Sequence, residues 1–496
     1  MDFNYYLTTI IFLPLAGLVI IALLPRPEPR TVKFVALAFT LSSFAMSMLM
    51  FCLFDRSAGA IGQIQFEEKV SWIPTINAFY HLGVDGLSLP LVVLTTFLGF
   101  LAVLVSWHIG TRHREYFIWL LLLETSILGV FCSLDLILFF LFWELELIPM
   151  YFLISIWGSA RKEYSAIKYV IYTLLGSAFM LAGILSIYFT TGSLSMMELA
   201  GLIPAKSIIP LAAMFFLLLI GFAIKLPVVP FHTWLPDAHT DAPTAASVIL
   251  AGVLLKMGGY GMIRLCVTIF PEAALQYAPL LVALAVVSVL YGAAVTLRQK
   301  DLKRLIAYSS VSHMGYVLLG IFALSQVSLT GATLQMFSHG VITGLLFALV
   351  GLVYDKAHER NLDNLGGLAR QMPVIVVVFS IAALASLGLP GTSGFAAEFI
   401  TFVGCFSSLA VEGIRVYTIA GVFGIVLTAG YILWLLQRVF YGPPLEKFNG
   451  VQDADNIERV CIFSFASAIM LVGLYPAVLT DIIKLGIEPI VRSIGL

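Results

Sequence analysis

The chain has 496 residues, of which 60% are hydrophobic and only 11% charged, with a formal net charge of −1. Soluble domains carry roughly 25% charged residues, so this composition excludes an ordinary soluble globule and places the chain in a membrane. Balanced charge with no basic cluster interleaved with aromatics leaves no electrostatic footprint for nucleic acid.

A bilayer crossing needs about 20 apolar residues. Runs of that order fall at 5–24, 32–54, 87–109, 115–132, 134–157, 165–189, 207–236, 242–266, 277–297, 302–324, 328–353, 373–404, 415–440 and 458–479. This predicts an all-α integral membrane protein of about fourteen transmembrane helices, closed by a short amphipathic tail. The first run lacks a basic leader and a small-residue cleavage site, so it is expected to remain as a helix. The loop at 55–86 contains QIQFEEKVSW, whose alternation suits a strand or hairpin. Cys52, Cys132, Cys266, Cys405 and Cys461 show no CxxC spacing and read as small core hydrophobes.

The seventh run is interrupted at KLPVVPFHTWLPDAH and the twelfth at GLPGTSG, where Pro390 stands among Gly388, Gly391 and Gly394. Prolines supply no N–H to the carbonyl four residues earlier, and such backbone survives at bilayer depth only beside other protein or trapped water. The two breaks are an odd number of spans apart, so their helices run in opposite directions. Paired breaks of opposite sense mark inverted-topology repeats, here helices 4–8 and 9–13. The expected units are 1–110 (three helices and an outer loop), 114–266 and 276–440 (the two five-helix repeats) and 457–496 (last helix and tail).

Lys and Arg concentrate in the loops after odd-numbered helices, from Arg26, Arg30 and Lys33 to Lys356, Arg360, Arg438 and Arg459. The opposite loops hold only Arg56, Lys69, Lys206, Arg264, Arg415, Lys484 and Arg492. By the positive-inside rule both termini face outward from a bacterial-type cytoplasmic membrane.

Lysine at the centre of a membrane helix costs roughly 2.5–3.5 kcal/mol on insertion scales, so Lys225 and Lys256, flanking the first break, need a use. Glu144, in LFFLFWELELIPMYF, is the expected counter-ion of one of them. Glu146, about 200° further round a regular helix, is expected to face a neighbouring helix or subunit instead. His313 in SSVSHMGY and Glu398 beyond the second break complete a candidate proton path Lys225, Lys256, His313, Glu398, with His339 in MFSHG as a secondary candidate. Glu124 and Asp135 receive no role. Two unit charges ~4 Å apart at an effective dielectric of ~20 attract by about 4 kcal/mol, so moving or neutralising the carboxylate would release the lysine's proton: the pair is a switch.

KLPVVPFHTWLPDAHTDAPTAASVILAGVLLKMGGYGMIRL, FWELELIPMYFLI and YSSVSHMGY together resemble the antiporter-like membrane subunits of respiratory complex I, which are similar to Mrp-type cation/proton antiporters. The likeness runs from the first helix to the fourteenth. Glu398 in GFAAEF and the absence of a long lateral helix after the last span point to the M-type, or fourth mitochondrial-type, branch. The resemblance implies a proton-translocating NADH:quinone oxidoreductase subunit in which Glu144 and Lys225 couple, Lys256 and His313 relay, and Glu398 is the terminal site. It transfers no role to Glu146. It also implies that NADH, FMN, iron–sulfur clusters and quinone belong to partner subunits, including two related antiporter-like ones, and that this chain binds no cofactor or metal. The alternative is a subunit of a secondary Na⁺/H⁺ antiporter, using the same buried groups without a redox partner.

Overall fold

The computed structural model describes residues 5–60, 62–202 and 207–495; Lys206, one of the loop charges above, lies outside them. The chain opens with α1 (Tyr6–Leu23), α2 (Pro29–Leu53) and the short α3 (Arg56–Ala60), followed by a hairpin of β1 (Gln65–Ile73) and β2 (Ala78–Val84). The hairpin is antiparallel, pairing Lys69 with His81 and Ser71 with Phe79, as the alternation predicts. Next come α4 (Leu89–Val105), α5 (His113–Cys132), α6 (Leu136–Leu145), α7 (Leu147–Trp157), α8 (Lys162–Thr191) and the short α9 (Met196–Leu202). The first interrupted span is α10 (Leu211–Lys225) plus α11 (Trp234–Asp241). The next span is α12 (Thr244–Ile249) and α13 (Leu255–Gly261), joined and followed by π-helical turns at Leu250–Leu254 and Met262–Val267. Then follow α14 (Pro271–Thr296), α15 (Leu302–Phe322), α16 (Gln326–Ala357), the second interrupted pair α17 (Pro373–Leu387) and α18 (Ser393–Ser407), α19 (Ile414–Val439), α20 (Asn456–Leu474) and α21 (Ala477–Ile494).

Among the described residues, eleven helices are long and apolar enough to cross a membrane. The other expected spans fall on shorter helices: the apolar α4, α10, α17 and α18, with the more polar α11 (WLPDAHTD) following α10. The expected tail is the helix α21, which buries Leu479, Ile483, Ile487 and Ile490 along one side.

Burial sorts the helices. The span Thr244–Val267 and helices α15 and α16 are almost wholly enclosed, whereas α1, α2, α8, α19 and α20 present apolar side chains outward. Lipid acyl chains solvate such faces, so they need no protein cover. Lys256, His313 and His339 therefore lie on the most enclosed elements. Two expectations need correction. Cys52 is exposed, although the other four cysteines are buried. Arg264, assigned above to a loop, is buried in the π-helical turn after α13, where its Nη2 donates to Asp85 Oδ2 at 2.6 Å; a buried partner lets a charged residue stay inside the span.

Candidate functional site

The first break builds one half of the site. Pro227 cannot donate to the Ala223 carbonyl, and the Val228 N–H does so at 2.9 Å. Trp234 Nε1 donates to the Ile224 carbonyl at 3.0 Å, which ties the start of α11 back to the end of α10. Lys225 is the last residue of α10 and is fully enclosed. Its ammonium is in direct contact with Glu146 Oε1 and lies 3.3 Å from the hydroxyl of Tyr169, on α8. That hydroxyl donates to Glu146 Oε2 at 2.7 Å. The Trp143 and Tyr169 rings lie 5.7 and 5.4 Å from the same ammonium, a cation–π geometry.

This corrects the pairing expected of Glu144. A 200° separation lets only one of the two acids face the lysine, and that one is Glu146, which sits with αR backbone (φ −68°, ψ −22°) between α6, ending at Leu145, and α7, starting at Leu147. The expectation chose the wrong face of the helix. Pro149 leaves the Leu145 carbonyl without its helical donor, which accounts for the gap between α6 and α7. Glu144 is half-buried beside the pair, within electrostatic reach of both members, and makes no hydrogen bond to the lysine.

The second half is a line of buried ionisable groups. Lys256, between the two π-helical turns, touches the Ala251 carbonyl and lies 2.8 Å from His339 Nδ1 on α16. Isolated π turns of this kind recur at functional sites in helices. The His339 and His313 ring centroids are 5.6 Å apart. His313, on α15, approaches Ser386 Oγ at 3.2 Å through Nε2 and Glu398 Oε1 at 3.4 Å through Nδ1. The second break sets Glu398: Gly388 holds φ +84°, and a Cβ there would lie 2.8 Å from Glu398 Oε2. Only glycine allows both the backbone conformation and the approach of the carboxylate. A cavity of about 10 Å³ is lined by His313, Gln335, His339, Ser386 and Glu398, about the size and polarity that accommodate one water.

Lys225 and Lys256 share no hydrogen bond among the described residues, but the elements that carry them touch. Gly258, two residues past Lys256, packs so closely on the end of α10 that a Cβ would meet the Phe222 carbonyl oxygen at 2.6 Å.

The structure thus joins Lys256, His313 and Glu398 through His339, joins Lys225 to Glu146, and leaves Glu144 alongside. Sequence reasoning missed Tyr169, whose type inside an apolar helix reads as packing. It also passed over His239 in LPDAHTDAP, which is buried with both ring nitrogens unpartnered and its ring stacked 4.4 Å from Phe347. Lys303 and Lys256 are its charged neighbours. Glu124 is buried against Gly99 of α4 and has no ionic partner among the described residues. Asp135 caps α6, accepting from Ile137 and Leu138 N–H at 2.9 and 3.2 Å, and it also accepts from Phe79 of the hairpin at 3.0 Å. A cavity of about 770 Å³ opens at the ends of α4, α12, α15, α16 and α20, with Asp241, Lys303, Asp355 and Arg360 in its lining.

The family described as "NADH:quinone oxidoreductase/Mrp antiporter, TM" matches residues 133–428. The chain is 40% identical to NADH-quinone oxidoreductase subunit M of Rhodobacter capsulatus, covering 98% of this chain and 96% of that protein. It is 43% identical to an NAD(P)H-quinone oxidoreductase chain 4 of Synechococcus elongatus, covering 96% and 90%. Among solved structures it superposes on a chain of respiratory complex I from Thermus thermophilus with a TM-score of 0.89 at 27% identity, over 99% of this chain and 100% of that one. A chain of the Mrp complex from Dietzia shares the fold, with a TM-score of 0.88 at 20% identity, over 100% of both chains.

Proposed function

Because the chain belongs to the NADH:quinone oxidoreductase/Mrp antiporter membrane family, we propose that it moves protons as a membrane-arm subunit of a redox-driven NADH–quinone oxidoreductase. The observation that carries this reading is the contiguous buried run Lys256, His339, His313, Glu398. A charged lysine donates to His339 Nδ1, the imidazole passes a proton from its other nitrogen toward His313, and His313 delivers to Glu398. A water in the small cavity shortens the step between the two rings. Lys225 and Glu146 act as the switch: while the carboxylate holds the ammonium the proton stays, and separating them frees it to move toward Lys256. The 770 Å³ cavity with Lys303 at its wall supplies the aqueous approach from the cytoplasmic side.

Electron transfer belongs to partner subunits, which hold NADH, FMN, iron–sulfur clusters and quinone, and two related antiporter-like subunits flank this one. The chain sits in the bacterial cytoplasmic membrane with both termini outward, and the two interrupted spans belong to the repeats 114–266 and 276–440. The test is Glu398→Gln in the assembled complex in sealed vesicles. Proton uptake and coupled quinone reduction should both fall; normal rates of both would remove Glu398 from the path. Sodium-dependent proton exchange without electron transfer would favour the antiporter alternative.

A further inference from the structure

Away from the buried path, three cations converge on one carboxylate at the N-terminal end of α8. Arg161 Nη2, Arg304 Nη1 and Lys168 Nζ lie 3.5, 3.2 and 2.6 Å from the oxygens of Asp237, whose side chain is nearly buried. One acid among three bases leaves an excess of two positive charges. Arg161 and Arg304 are 58% and 32% exposed at the side chain, and among the described residues each uses a single guanidinium nitrogen on Asp237, so the rest of each fork is free. Of the other acids nearby, Asp241 is turned inward onto Ser159 and Ser165 and Asp301 pairs with Arg360; Glu163, exposed and without an ion pair among the described residues, reduces the excess but does not reverse it.

The surroundings specify the ligand. Tyr164 is exposed beneath Arg161 and Lys168, with its ring 5.6 and 5.7 Å from the two cations; aromatic rings of this kind mark the headgroup level of a bilayer. Directly along α8 from it, Ile167, Ile171, Leu174 and Leu175 form an exposed apolar track. From Tyr164 to Leu175 a helix rises about 16 Å at 1.5 Å per residue, close to half of a hydrocarbon core of about 30 Å. The exposed apolar face continues along α8 to Leu185 and Phe189, and its first half, one leaflet long and ending at the basic pocket, accommodates one phospholipid molecule with a phosphate at the pocket and acyl chains along the track. We propose that Arg161, Lys168 and Arg304 form a docking site for an anionic phospholipid. The arginine forks suit phosphate oxygens. Lys168 precedes Tyr169, the hydroxyl that holds Glu146, so a lipid seated here would also fix the helix that serves the switch.

The experiment uses the intact complex in bilayers doped with headgroup-photoactivatable phosphatidylglycerol or, separately, the matching phosphatidylcholine, followed by mass spectrometry of the labelled peptides. Each basic residue near an anionic surface is worth about fivefold in attraction. Phosphatidylglycerol should therefore label the segment 161–175 at least about fivefold more than phosphatidylcholine. R161Q/R304Q should abolish most of that preference, and R161K/R304K should keep it. Equal labelling by both lipids, a preference untouched by the Gln pair, or cross-links from this segment to another subunit in place of lipid would each overturn the proposal.

Discussion

Glu146→Gln tests the switch most directly, because the structure gives Lys225 one contacting carboxylate and one neutral hydroxyl. At ~4 Å and an effective dielectric of ~20 the charge pair is worth about 4 kcal/mol, in line with the 3–5 kcal/mol typically lost when one partner of a buried pair is removed. The Tyr169 hydroxyl, 3.3 Å from the ammonium, is bonded to it with or without the carboxylate and so offsets none of that loss. Glu144→Gln removes a charge that makes no hydrogen bond to Lys225, so it should weaken the hold on the ammonium by less than Glu146→Gln does. The assay is the proton-to-electron ratio of the assembled complex in sealed vesicles, with subunit content measured in parallel. Glu146→Gln should collapse the ratio in assembled complex, Glu144→Gln should keep most of it, and adding Tyr169→Phe to the first should deepen the loss. A ratio that falls further in Glu144→Gln than in Glu146→Gln would refute the pairing as the coupling element.

His339→Phe removes the group between Lys256 and His313 and should abolish pumping while leaving Lys225 paired; an unchanged proton-to-electron ratio would show that the path avoids His339. Gly388→Ala places a methyl 2.8 Å from Glu398 Oε2 at φ +84°, combining αL strain of about 1–2 kcal/mol with displacement of the carboxylate. Gly391→Ala carries the same strain at φ +90° with only Leu474 nearby, at 3.9 Å. Both should lower thermal stability, but only the first should slow proton uptake; equal uptake in the two would detach Gly388 from the Glu398 site.

What was legible in the sequence was whatever carries an energetic penalty in a membrane. Lysines at bilayer depth, prolines inside apolar runs and a carboxyl beyond a glycine-rich break are costly enough to stand out singly, and Lys225, Lys256, Glu398 and both interruptions were legible on that ground. Partners were less legible, because helical spacing sets Glu144 and Glu146 about 200° apart without saying which of them faces Lys225. That depends on how the helix is rotated against α8 and α10, which hold Tyr169 and Lys225. Tyr169 carries little insertion penalty that would set it apart from packing residues, and His239 stands in the polar run LPDAHTDAP, where a histidine does not stand out singly. Asp135 shows the reverse case, an acid in apolar sequence whose use is structural. It caps α6 through two N–H groups and holds the hairpin through a third. Asp135→Ala should cost about 1 kcal/mol for the cap and about 1–3 kcal/mol for the stranded Phe79 N–H, which thermal unfolding of the assembled complex would register. Asp135→Asn keeps an acceptor at the cap and should recover most of that loss, with pumping per assembled complex normal in both variants. If Asp135→Asn instead assembled normally and failed to pump, the carboxylate would belong to the proton path and the capping account would be wrong.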